Sequence, residues 1–365
     1  SQRGLDAGRT LSFEQFLAQL RWRPDRLIRS VHQVLHDMVS AHVGEGYDEY
    51  PDDPESINFI AYDTSSLFVE DTDQPFFADR IFANRLMNVI DGFRGGAQQN
   101  KIFIFDGPPG SGKSIFLNTL LHRLEAYANS PDGCRYETVW RLDRQVLGDD
   151  SGSEASEQLA KLLGEGKTSR LLADLTAGRR QRAKGGYVEV PCPSHDNPIL
   201  MIPREQRAAF FDELFQNDEF KWNLSAGKDF DWVFKNTPCT ICTSLFKALL
   251  HKLGDPVSVF AMIHARPYLF DRRLGDGITV FNPGDRMTRQ PVLTNPQLQK
   301  RIGNLLQDSN QVRYLFSRYA RTNNGIFALM DIKGHNKERL HELHNIISDG
   351  VHKVEEIEEN VNSLF

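Results

Sequence analysis

An α/β protein built on a parallel sheet, with helices at its N-terminal end, follows from three features of the 365-residue chain. The short apolar run Lys101-Ile-Phe-Ile-Phe105 has the composition of a strand buried on both faces, and a glycine-rich turn and an amphipathic helix come straight after it. A run of the same kind, Gly325-Ile-Phe-Ala-Leu-Met-Asp331, returns late in the chain and ends on a carboxylate. Between the two runs lie all four cysteines, in a stretch too long for a compact connection, which marks a large insertion.

Each element has its own signal. Residues 12–40 are expected to be helical: Ser12 and Gln15 can form a capping box, and after Pro24 the set Leu27, Ile28, Val31, Val34, Leu35 and Met38 recurs at helical spacing. Residues 44–58, rich in Gly, Asp, Glu and Pro, read as a loop. A helix over 76–93 carries Phe77, Ile81, Phe82, Leu86, Val89 and Ile90 and stops at Gly95-Gly96. The helix after the glycine-rich turn shows Ile115, Phe116, Leu117, Leu120, Leu121 and Leu124, and Tyr136–Leu142 reads as a strand. The stretch Gly148–Glu157 is polar and acidic, the expected signature of a mobile surface loop. Short helices are expected through 160–256, and Leu340, Leu343, Ile346 and Ile347 mark a last helix before Gly350.

These boundaries divide the chain into an N-terminal helical region (1–94), the first part of the core (95–143), the insertion (144–312) and the second part of the core (313–365). Because the sequence starts at Ser1 and stops inside the apolar stretch Val361–Phe365, a longer natural chain is expected.

Composition excludes several functions. With 43 basic and 49 acidic side chains the net charge is −6, which gives no footprint for nucleic acid or an anionic membrane. No apolar stretch reaches membrane-spanning length, and four cysteines are too few for a disulfide scaffold of this size. A cytoplasmic location is the expectation.

The strongest motif is Gly107-Pro108-Pro109-Gly110-Ser111-Gly112-Lys113-Ser114, which satisfies G-x-x-x-x-G-K-[S/T] in full. Glycines let the backbone curl so that its N–H groups face phosphate oxygens at the positive end of the following helix. Lys113 would reach the β- and γ-phosphates, and the Ser114 hydroxyl would ligate Mg²⁺. This pattern defines a P-loop nucleotide site. The second carboxylate that such a site needs is best supplied by Asp331, which could instead cap a helix. Ile332 follows it, where active AAA-type ATPases place the glutamate that polarises the attacking water, so slow hydrolysis is expected.

A metal site is the second motif. Cys192-Pro-Ser-His195 and Cys239-Thr-Ile-Cys242 are paired knuckles with two-residue spacers, together a Cys₃His set suited to tetrahedral Zn²⁺. With all four positions filled by protein, the expected role is structural. A redox Cys-x-x-Cys at 239–242 would leave the first knuckle unexplained. Cys134 stands outside the pattern.

Weaker signals read as ordinary surface or core. His341 and His344 fall on a helix face, and Arg179–Lys184 is a small basic cluster. Arg313, Arg318 and Arg321 precede the Asp331 strand, while Phe76 and Phe77 offer a wall for an adenine ring. There is no His-Arg-Asp catalytic loop, Asp-Phe-Gly, G-x-S-x-G or His-Glu-x-x-His.

The P-loop, Pro191–Asp196, Thr237–Cys242, Asp308–Arg313, Ala328–Asp331 and His344–His352 together resemble the bacterial PrkA family, across almost the whole chain. The resemblance implies the family's N-terminal AAA-type domain, part of a protein annotated in the family as a serine protein kinase. It implies ATP and Mg²⁺ at Lys113, Ser114 and Asp331, phosphoryl transfer to an unspecified protein substrate, and a homo-oligomer, with an AAA-type ring as one form. A remodelling or proteolysis-driving ATPase, and a slow nucleotide-gated switch, are the alternatives.

Overall fold

The computed structural model describes residues 9–53, 60–94, 102–143, 186–215, 220–222, 224, 230–282, 285, 318–331, 343–344, 346, 348–354 and 357–365. The expectations for 148–157, the basic cluster at 179–184, Arg313, Ile332 and His341 lie outside the described residues.

The N-terminal region is helical, as its pattern requires, but in three pieces. Ser12 accepts from the Gln15 N–H and Gln15 returns the bond to the Ser12 N–H, which starts helix Phe13–Leu20 with a complete capping box. Pro24 opens the short helix Pro24–Leu27, and a second capping box, Ser30 with Gln33, starts Val31–Val43. The expected loop at 44–58 holds a small hairpin contact, Tyr47–Asp48 against Ile60–Ala61. Helix Arg80–Arg94 begins four residues later than its apolar pattern suggests, because the Asp79 carboxylate accepts the Phe82 N–H.

The strands in chain order are β1 (Leu11–Ser12), β2 (Tyr47–Asp48), β3 (Ile60–Ala61), β4 (Tyr136–Asp143), β5 (Tyr187–Pro191), β6 (Ile263–Pro267), β7 (Ile278–Phe281), β8 (Ile326–Leu329), β9 (Val351–Val354) and β10 (Ile357–Asn360). The largest sheet is antiparallel, in the order β1-β6-β4-β5. Val139, at its centre, faces His264 on one side and Pro191 on the other. The strand expected at 136–142 therefore pairs with strands of the cysteine-bearing region, antiparallel, and not with β7 or β8. Trp140 and Leu142 from this strand, Val190 from β5 and Phe16 and Leu20 from the first helix are fully buried in one core.

A second core packs helices 31–43, 80–94 and Lys113–Ala128 against the parallel pair β7–β8. Alternation along β8 covers both faces: Ile326 and Ala328 enter this core, while Phe327 enters a third cluster with Phe281, Tyr319 and Val361. Backbone bonds extend the pair by one chain segment, from the Phe327 N–H to the Leu364 carbonyl (2.8 Å) and from the Leu364 N–H to Gly325 (2.9 Å). The Phe103 N–H then reaches the Phe365 carbonyl at 2.8 Å.

The observed architecture is thus mixed α/β with small, mostly antiparallel sheets, and among the described residues a parallel sheet surrounding the glycine-rich turn is not formed as a regular element. Residues 102–106 carry no strand assignment, and Ile104 is 86% exposed, the opposite of the buried strand expected there. One backbone bond from Phe103 does not make a ladder. Among the described residues no helix is long and apolar enough to cross a membrane.

Candidate metal centre and phosphate loop

Strand β5 delivers Cys192 to the edge of the buried sheet, and helix Thr240–Leu253 starts at Cys239 and carries Cys242 in its first turn. Between the knuckles Asp196 completes a group of four donors, Cys192, Asp196, Cys239 and Cys242, all buried and all within 4.8 Å of one another. The Cys192 and Cys239 sulfurs are 3.4 Å apart. Ligands at about 2.3 Å around a tetrahedral ion stand about 3.7 Å from each other, so the cluster has the dimensions of a zinc site. Three sulfurs and a carboxylate packed together, with no lysine or arginine paired to them among the described residues, form a group that a cation such as zinc could hold together.

His195, expected as the fourth ligand, is not part of this group. Its backbone is left-handed (φ 51°), which turns the ring away. Nδ1 lies 2.5 Å from Glu137 Oε2, and the ring stacks on Tyr268 with centroids 4.2 Å apart. The neighbouring carboxylate takes the position instead. Asp196 Oδ2 accepts the Cys239 N–H at 2.6 Å, and the Asp196 N–H donates to Cys192 Sγ at 3.3 Å, so Asp196 braces both knuckles. Spacing rules favour histidine at this position, and the one visible sign of Asp196 was its place one residue past the knuckle.

Burial and the contacts within the cluster set the protonation of the four donors. Burial pushes the Asp196, Cys239 and Cys242 protons toward retention. Burial pushes Cys192 the same way, but hydrogen bonds from the Cys239 and Cys242 thiols and from the Asp196 N–H outweigh it and hold Cys192 well below the ordinary thiol value. The Trp140 indole N–H also points at Cys242 Sγ, at 3.4 Å. Cys134 lies apart, buried, its Sγ 3.6 Å from the Arg135 carbonyl.

The knuckles are tied to the end of the chain. Glu359 of β10, 2% exposed, accepts from Ser194 Oγ (2.6 Å) and from the Thr240 N–H (3.2 Å). Asn323 and Asn324, in the turn before β8, donate to the carbonyls of Ser194 (2.8 Å) and His195 (3.1 Å). Asn323 Oδ1 in turn accepts the Asn362 N–H at 2.7 Å.

The phosphate loop is built differently. Residues 108–111 are exposed, and the turn is shaped by glycine: Gly110 and Gly112 have φ of 82° and 81°, which only glycine adopts without strain. Gly112 is also the cap of helix Lys113–Ala128, and a side chain there would meet the Phe76 ring at 3.0 Å. Lys113 folds back onto its own loop, donating to the carbonyls of Gly107 (2.7 Å) and Pro108 (2.8 Å) and to Ser111 Oγ (3.3 Å). Asp106, which the motif does not include, accepts the Gly107 N–H at 2.8 Å. Ser114 is exposed in the first turn of the helix. Asp331 is exposed two residues past β8 with φ 48°.

Several weaker candidates become structural. Phe76 belongs to an aromatic cluster with Phe68, Phe82 and Phe116, while Phe77 is 76% exposed. Arg321 is engaged with Asp276 at 2.6 Å and with the Leu274 carbonyl.

Comparison with protein-family models, with curated proteins and with solved structures finds no match. The chemistry of the two sites is therefore read from the residues alone.

Proposed function

We propose that the chain binds Mg-ATP at Gly107–Ser114 and serves as the AAA-type nucleotide module of a PrkA-like protein kinase, passing the γ-phosphate to a protein serine or threonine. The observation that carries ATP binding is the loop itself: two left-handed glycines lead into the N-terminus of a sixteen-residue helix, with Lys113 as its first residue. The lysine's present partners are loop carbonyls and a hydroxyl, neutral acceptors that an anionic phosphate would outcompete. Ser114 and Asp331 would hold magnesium, which supplies charge neutralisation at the transferring phosphate.

Phosphoryl transfer to protein rests on the resemblance of the six segments to the PrkA family. A second reading has its own support: Ile332, in place of a glutamate, favours a switch that binds ATP and turns it over slowly. The two are separated with γ-labelled ATP and Mg²⁺, with Lys113→Ala as control. Label on serine or threonine, absent in the variant, supports the kinase. Free phosphate alone supports a remodelling ATPase, and tight binding with neither product supports the switch. Full activity in Lys113→Ala contradicts all three.

A further inference from the structure

Behind the metal centre, a cavity of about 20 Å³ opens between the N-terminal helices, the start of β4, the first knuckle and the turns at Asn324 and Asn362. Its lining is unusually rich in donors. Arg135 is 5% exposed, and its one side-chain hydrogen bond goes to the Asn324 carbonyl at 2.7 Å. No carboxylate pairs with it among the described residues. Its charge rests instead against the rings of Tyr268 and Phe270, 5.5 and 5.3 Å from their centroids. Burial lowers the guanidinium pKa to about 10, with the neighbouring Arg29 charge a smaller push in the same direction.

The other charges on the wall are spoken for. Arg29 pairs with Asp37 at 2.5 Å and donates to two carbonyls. Glu137, two residues on from Arg135 and not part of the wall, is bound by Arg266 and by His195 Nδ1. One positive charge is left over, that of Arg135. Two donors of residues lining the same cavity have no partner among the described residues: the indole Nε1 of Trp232, a residue 6% exposed, and the amide nitrogen of Asn236. An indole N–H can only donate, so whatever fills the space must accept. His195 Nε2, also buried, has no hydrogen-bond partner among the described residues.

We propose that this cavity is a binding site for one small inorganic anion, of chloride size, held by Arg135, Trp232 and Asn236. The volume decides the class. About 20 Å³ admits one or two water-sized particles and no nucleotide or organic acid. A neutral water would satisfy the donors but leave the buried guanidinium uncompensated, whereas a small anion does both. Because the walls come from segments far apart in sequence, the bound anion ties the N-terminal helices to the knuckle and to the turn that leads into β8.

The test uses the metal-loaded chain in sodium chloride and in sodium gluconate, an anion too large for the cavity, at equal ionic strength. The melting temperature is followed as chloride replaces gluconate. A saturable rise is expected. Trp232→Phe keeps the ring and removes the donor, and weakens the apparent chloride affinity about tenfold or more, the usual effect of losing a hydrogen bond to a charged group. Arg135→Met abolishes the chloride response and melts no lower than the parent in gluconate, because it removes an unpaired buried charge. The proposal is overturned if the melting temperature is the same in both salts, or if either variant responds to chloride as the parent does.

Discussion

The glycine loop and the second cysteine knuckle each sit at the N-terminus of a helix, and the two sites are opposite in construction. At the knuckles every donor is buried and braced from outside: Asp196 by the Cys239 N–H, Ser194 by Glu359 and Asn323, the thiols by one another. At the glycine loop residues 108–111 face water, and Lys113 is held by the loop's own carbonyls. The first arrangement suits a site whose occupant belongs to the fold. The second suits a site whose occupant comes and goes, because its contacts are cheap to exchange. Burial, more than motif, separates a structural ligand from a substrate.

That contrast is open to attack at several points, taken here from the largest effect to the smallest. Stripping the metal with a chelator, or changing Cys239→Ser, is expected to destabilise the chain by several kcal/mol, since metal affinity is folding energy when the ligands are buried. Chemical denaturation with and without chelator measures it, and equal midpoints would remove the metal centre from the account. Lys113→Ala is expected to lose ATP binding by at least about a hundredfold while unfolding at the parent's denaturant midpoint. A matching loss of stability would show the loop to be part of the core after all.

Metal content sharpens the ligand assignment. Asp196→Asn is expected to lower zinc retention in a competition with a chelator by about tenfold or more, and His195→Gln to leave it within a factor of a few. The reverse ranking would restore the histidine. The smallest effects belong to the struts and the cap. Glu359→Gln keeps one acceptor and should cost about 1 kcal/mol in urea unfolding. Gly112→Ala should cost about 1–2 kcal/mol from its left-handed backbone, with most of the damage seen in ATP affinity.

Much of this was legible in the sequence where the signal was local. The Ser12–Gln15 capping box and the helix after the loop depend on neighbours a few residues apart, and both are present; the three clustered cysteines lie farther apart, but each paired spacing is itself a short-range signal. The failures were non-local. Whether Tyr136–Asp143 joins a parallel or an antiparallel sheet depends on partners more than forty residues away, and an apolar strand reads alike in both. His195 is the ligand that the spacing predicts, because ligand spacing carries no information about the left-handed turn that aims the ring at Glu137 and Tyr268. Exposure of Ile104 was equally invisible, since its apolar neighbours argue only for burial against something. The cavity at Arg135 left no trace in any motif, being assembled from segments spread along the whole chain.

The central claim is that the glycine loop is a Mg-ATP site, and calorimetric titration of the metal-loaded chain with Mg-ATP tests it most directly. The account predicts saturable one-to-one binding that disappears in Lys113→Ala and weakens in Asp331→Asn. Absence of binding to the parent chain, or unchanged affinity in Lys113→Ala, would contradict it.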